Sequence, residues 1–153
     1  MAIMARDSGG NFAPAPEGLH GAVCVDVIDL GLVKTQWGEK PSIRIVWLID
    51  ELEPASHPDG RENKRSGQRF EVRRQFGLSL SEKGHLRPFL VSWRGREFTS
   101  KELEGFDVEA IIGQPCQLQI IHNITEGGRT YANVQAALKL GKNSVPMKAE
   151  NYV

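Results

Sequence analysis

Phe70-Glu71-Val72-Arg73-Arg74-Gln75-Phe76-Gly77-Leu78-Ser79, with the stretch that follows it as far as Pro115, decides how this chain folds. Phe70, Val72, Phe76 and Leu78 fall on one side of an extended backbone, and Glu71, Arg73, Gln75 and Ser79 on the other. That is the period of a half-buried strand. Arg74 falls on the apolar side, which predicts a barrel rim or a bulge there and leaves Arg73 exposed. After Ser79 the pattern changes. Ser79-x-x-Glu82 and Thr99-x-x-Glu102 have capping-box spacing. Pro88 suits the first turn of a short helix near Arg87–Trp93, and Asp107 is placed to cap a third that Gly113 and Pro115 stop. Residues of about 80–113 thus read as a helical insertion.

Outward from this stretch lie four more strand-like runs. Gly21–Leu30 and Ser42–Asp50 precede it; Cys116–Ile124 and Tyr131–Ala137 follow it. In the first run Val23, Val25 and Val27 are expected on one face, and Cys24, Asp26 and Ile28 on the other. In the second, Ile43, Ile45, Trp47 and Ile49 oppose Arg44, Val46 and Leu48. Gly127-Gly128 between the last two runs signals a hairpin. Three strands, helices, then two strands is the order of an all-β, five-stranded OB-fold barrel with its helices between strands 3 and 4, a fold that commonly binds oligonucleotides. Residues 1–18 read as a flexible arm, 19–140 as the folded domain and 141–153 as a flexible tail.

The bulk properties narrow the function. A chain of 153 residues and 17.0 kDa supports one modest core. Its formal net charge is zero, from 19 basic and 19 acidic residues, which excludes a strongly basic nucleic-acid binder but not a local patch. Arg61, Lys64, Arg65, Arg69, Arg73 and Arg74 are opposed over that stretch only by Glu62 and Glu71, six cations against two anions. Cys24 and Cys116 read as buried free thiols of a reducing cytoplasm. The four histidines lack metal-ligand spacing, and no phosphate loop, HExxH or GxSxG motif occurs. Asp26, Asp29, Asp50 and Glu51 read as solvated carboxylates. No signal peptide or membrane span is visible. A non-enzymatic cytoplasmic protein without metal or cofactor is the expectation.

Single-stranded nucleic acid needs cations along its backbone and flat side chains for its unpaired bases. In an OB-fold the ligand crosses strands 2 and 3 between the first loop and the last hairpin. Those places offer Lys34, Trp37 and Lys40 in the loop from Gly31 to Pro41, and Arg44 and Trp47 in the second strand. Lys64 and Arg65 come from the long connection, Arg73, Arg74 and Phe76 from the third strand, and Arg129 and Tyr131 from the hairpin. Trp47, Phe70 and Phe76 also alternate with apolar neighbours, so each competes between core and contact. Trp93 and Phe98 read as anchors of the insertion, with Arg94 and Arg96 either paired to nearby acids or available to phosphate, the first being preferred.

The run from Leu80 through Cys116, with Trp93-Arg94-Gly95-Arg96, Phe98-Thr99, Phe106-Asp107, Gly113 and Pro115-Cys116, resembles small phage and prophage proteins. So do Pro16-Glu17-Gly18 and the strand end Asp29-Leu30-Gly31. The resemblance covers most of residues 12–140 and is to phage single-stranded DNA-binding proteins of the OB-fold type. It implies sequence-independent binding of replication or recombination intermediates in a bacterial host cell, with phage or host replication proteins as further partners. Many proteins of this function end in an acidic tail that recruits partners. This chain ends Lys148-Ala149-Glu150-Asn151-Tyr152-Val153, which is not acidic. The alternative is an OB-fold adaptor that binds proteins rather than DNA.

Overall fold

Ile43, Ile45, Trp47 and Ile49 are each no more than 2% exposed, and they set the inner face of the central strand. That strand, β2 (Gly38–Leu52), pairs antiparallel with β1 (Gly18–Thr35) on one side and β3 (Arg69–Gly77) on the other. After β3 come helices α1 (Leu86–Arg94) and α2 (Ser100–Glu104), a 3-10 turn at Val108–Ile111, and strands β4 (Pro115–Ile124) and β5 (Thr130–Leu138). The computed structural model describes residues 13–141 and 146–148.

The chain is all-β, with one five-stranded antiparallel sheet in the order β3-β2-β1-β4-β5. The expected closed barrel is not completed by hydrogen bonds: β3 and β5 are the two ends of the ladder, and no backbone pairing joins them among the described residues. A side chain spans the gap instead. Arg74 Nη1 donates to the carbonyls of Val134 and Gln135 on β5, at 3.2 Å each. Its guanidinium lies over the rings of Phe76 and Phe89, 4.6 and 5.3 Å from their centroids. An arginine on the apolar side of β3 is therefore a structural clasp. Burial pulls its pKa below the usual arginine value. Arg74→Ala is expected to cost roughly 1.5–3 kcal/mol, the range for hydrogen bonds to a charged group. Lysine cannot both fork between two carbonyls and stack on two rings, so Arg74→Lys is expected to recover little of it. Urea unfolding of the two variants checks both statements.

Helix α1 covers one end of the inner face. Leu86, Phe89, Leu90 and Trp93 are its buried residues, spaced at helical period. Phe89 and Trp93 meet Trp47 with ring centroids 5.7 and 5.9 Å away. The helix begins without a side-chain cap, so the expected box at Ser79–Glu82 is not used. It ends on Gly95 in the left-handed region, at φ 74°. The second box does form. Thr99 Oγ1 accepts from Glu102 N, and Glu102 Oε1 accepts from Thr99 N. Asp107 caps the 3-10 turn as its spacing suggests. Arg94 and Arg96 pair with Glu102, the acid-paired role expected of them.

The outer face of the sheet differs from the simple alternation. The β1–β2 register shifts between Cys24 and Asp26, leaving Val25 as the extra residue of a bulge. Val27 consequently packs with the main core, on the side of Cys24, and not with Val23 and Val25. Val23, Val25, Val46 and Leu48 form a second apolar cluster against which Met147 packs. Arg69 Nη1 donates to the carbonyl of Lys148 at 3.3 Å. Thus part of the expected tail lies across the outer face; the rest of residues 142–153, apart from 146–148, falls outside the described residues. The expected arm likewise falls outside them up to residue 12. From Ala13 on it is held: Ala15 is buried in the core, and Glu17 Oε2 accepts from His122 N at 2.7 Å.

The long connection between β2 and β3 is built around Asn63, which is buried. Its amide nitrogen donates to Glu53 Oε1 and the Pro54 carbonyl, and its oxygen accepts from Arg65 N. Both cysteines are free and buried. Burial pushes the Cys24 thiol up to about 12 and the Cys116 thiol higher still. Neither forms thiolate at neutral pH, so a colorimetric thiol reagent is expected to find none in the native protein and both in denaturant.

Candidate nucleic-acid interface

The stretch from Gly31 to Pro41, expected to be a loop, continues the strands as a hairpin. Leu32↔Pro41, Val33↔Lys40, Lys34↔Glu39 and Thr35↔Gly38 are paired, leaving Gln36 and Trp37 as the two turn residues. Thr35 Oγ1 fixes the turn by accepting from Trp37 N and donating to the Gly38 carbonyl. Gly38 takes φ 102°, open only to glycine without strain. Pro41 lies just beyond the last β2–β3 pair, Ser42 opposite Gly77, and its carbonyl accepts from Leu78 N at 2.8 Å. The arm therefore projects past its neighbour, with Trp37 78% exposed at its tip and Leu32 65% exposed along it.

Alternation along β2 puts Lys40, Ser42, Arg44, Val46 and Leu48 on the outer face. Arg44 stands opposite Ile28 of β1 and Gln75 of β3; Val46 stands opposite Asp26 and Arg73. Lys40, Arg44, Gln75 and Arg73 thus share one side of the sheet below Trp37. Arg73 is exposed and pairs with Glu71, Nη2 to Oε1 at 3.4 Å. At such exposure that pair contributes little and is readily exchanged for another anion. Arg44 and Lys40 have no carboxylate partner within 4 Å among the described residues. Lys34 belongs to the opposite side of the hairpin, across from Glu39. Met147 packs against the cluster that holds Val46 and Leu48, while Arg44, farther along β2, is half-buried.

Several expected contact residues lie elsewhere. Trp47 is fully buried and Phe76 is 3% exposed, both in the main core, so neither can stack on a base. Their strand alternation with Ile43, Ile45 and Val72 explains it: the side that carries them is the side α1 covers. Arg74 is the clasp described above, half-buried with Nη1 committed to the carbonyls of β5. Arg65 Nε bonds Glu53 Oε2 at 2.5 Å and Nη2 bonds the Arg69 carbonyl, so it holds the long connection together. Lys64, its neighbour, is exposed.

Arg129 and Tyr131 sit on the other hairpin. Gly18 pairs with Ile120 and Val23 with Pro115, so the β4–β5 hairpin leaves from the end of β1 opposite to Trp37. The sheet register does not join the two groups. Tyr131 is 48% exposed, opposite Asn123. Ile28 and Gln75 complete the open face, and residue type does not single them out. Their signal is cross-strand register, which a single run of sequence does not contain.

The group so assembled is an exposed indole with two cations that have no carboxylate partner among the described residues and one loosely paired cation, an arrangement able to stack a base and neutralise adjacent phosphates. No protein-family model matches the chain, and no curated protein matches its sequence.

Proposed function

We propose that this chain binds single-stranded DNA without sequence preference, through Trp37 stacking on a base and Lys40, Arg44 and Arg73 contacting phosphates. The observation that carries the reading is Trp37, a large aromatic side chain left 78% exposed at the tip of a hairpin that its own turn holds rigid. An indole at that exposure contributes nothing to the core, while base stacking gives it a use. The strand order, with β1 shared between β2 and β4 and Arg74 bridging β3 to β5, supports an OB-fold barrel as the scaffold. Replication or recombination of phage DNA is the setting the resemblance implies. Lys34, Lys64, Arg129 and Tyr131 lie off this line and serve only a strand long enough to reach them.

The test is intrinsic fluorescence during titration with a thymidine oligomer at two salt concentrations. Of the three tryptophans, Trp47 and Trp93 are buried, so quenching reports on Trp37. Saturating quenching that weakens with salt is expected. Arg73→Ala is expected to weaken binding to all sequences alike and to lower the salt slope by about one; a sequence-selective loss would remove Arg73 from the phosphate path. Absence of both quenching and a mobility shift overturns the DNA reading. It would favour the second reading, an adaptor whose protein partner covers Leu32 and Trp37, the two most exposed apolar side chains of the hairpin arm.

A further inference from the structure

At the end of β2 farthest from Trp37, His20 of β1 faces Asp50 and Glu51. We propose that these three side chains form a binding site for a divalent first-row transition-metal ion of the zinc class. The ring of His20 is 7% exposed, and both its nitrogens are committed in direction. Nε2 lies 2.7 Å from the carbonyl oxygen of Pro16. A carbonyl can only accept, so Nε2 carries the proton. The neutral ring then presents a lone pair at Nδ1, which points at Asp50 Oδ1, 3.3 Å away, and Glu51 Oε1, 4.0 Å away. One atom from each of the three residues falls within a cluster spanning 4.8 Å.

A cation among these acceptors would offset the repulsion between the two carboxylates. Neither carboxylate has an arginine or lysine within 4 Å among the described residues; the ion-pair partner of both is His20. Metal–ligand bonds of roughly 2.0–2.2 Å at tetrahedral angles separate ligand atoms by about 3.3–3.6 Å, and the His20–Asp50 pair already stands at 3.3 Å. The surroundings match a metal ligand set in two further ways. A histidine ligand is characteristically held by a hydrogen bond from its other ring nitrogen to a carbonyl, as Pro16 holds His20. Asp50 is oriented by Gly21, whose N–H donates to Oδ2 at 3.0 Å. A Cβ at position 21 would come within 3.2 Å of that oxygen, so glycine is what lets the carboxylate approach. Imidazole with two carboxylates favours zinc or manganese over magnesium, which prefers oxygen alone. Water would fill the remaining coordination position. The ion would tie the Pro16 segment, β1 and the end of β2 at one point.

Zinc chloride added to the purified full chain, followed by calorimetry and thermal unfolding, tests this. One equivalent is expected to bind and to raise the melting temperature, with no effect of magnesium chloride. His20→Gln is expected to weaken zinc binding at least tenfold. Glu51→Gln, at an exposed side chain that the core does not need, is expected to weaken it as well and guards against a folding defect in the first variant. Oligonucleotide affinity should be unchanged by zinc. Binding of less than one equivalent overturns the proposal and leaves His20 simply paired with Asp50. Zinc affinity unchanged in both variants also overturns it, by placing the ion at His57, His85 or His122.

Discussion

Trp37→Ala is expected to weaken binding of a thymidine oligomer by about 5- to 150-fold, the equivalent of roughly 1–3 kcal/mol for one stacked base. The melting temperature should not move, because the side chain is 78% exposed and packs against nothing in either core cluster. The same substitution removes the fluorescence change on binding, so affinity in the variant is read by mobility shift or anisotropy of a labelled oligomer. Trp37→Phe keeps a flat face and should retain most of the affinity. A loss of melting temperature equal to the loss of binding would mean that the indole supports the fold, and would withdraw the stacking role.

Trp47→Ala is expected to have the opposite profile. Removing a fully buried tryptophan costs about 3–5 kcal/mol through lost transfer energy and the cavity left behind, a large share of a stability that for small domains is only about 5–15 kcal/mol. Trp47 is where β2 meets α1, through Phe89 and Trp93, so its loss loosens the helix from the sheet. Its indole N–H is buried and has no hydrogen-bond partner among the described residues. Trp47→Phe removes that unpaired donor and keeps an aromatic ring, so it should cost less than half as much. Denaturant unfolding separates the two, and oligomer affinity of whatever remains folded should be unchanged. A binding defect at full stability would return Trp47 to the interface.

The sequence made the strands legible where one face is buried. Ile43, Ile45, Trp47 and Ile49 announce β2 by period alone, and Thr99 with Glu102 announces the start of α2. It was misleading where punctuation residues serve a strand. Gly31 and Pro41 read as loop, yet Gly31 marks a register shift and Pro41 is paired with Leu32 while its carbonyl accepts from Leu78 N. Val25 shows the same difficulty at one residue's scale, since a bulge is a property of two paired strands. At the site, Trp37, Lys40, Arg44 and Arg73 could be picked by type and place. Arg65 and Arg74 could not be told from them, because a cation bound to a carboxylate or to two carbonyls looks identical in sequence to a free one. Phe76 and Trp47 were ambiguous for want of knowing which side α1 would cover.

Arg74 also fixes where this molecule comes apart most easily. Every other neighbouring pair of strands is zipped by a ladder of amides, whereas among the described residues the hydrogen bonds between β3 and β5 come from one side chain. Local opening requires the fewest broken bonds along that seam, so amides on the free edges of β3 and β5 should exchange with solvent at a lower opening energy than those shared by β1 and β2. Release of a single guanidinium uncovers two unpaired strand edges on one molecule. Those are the edges through which a second copy would add or swap a strand, and the clasp is what keeps them apart from such company.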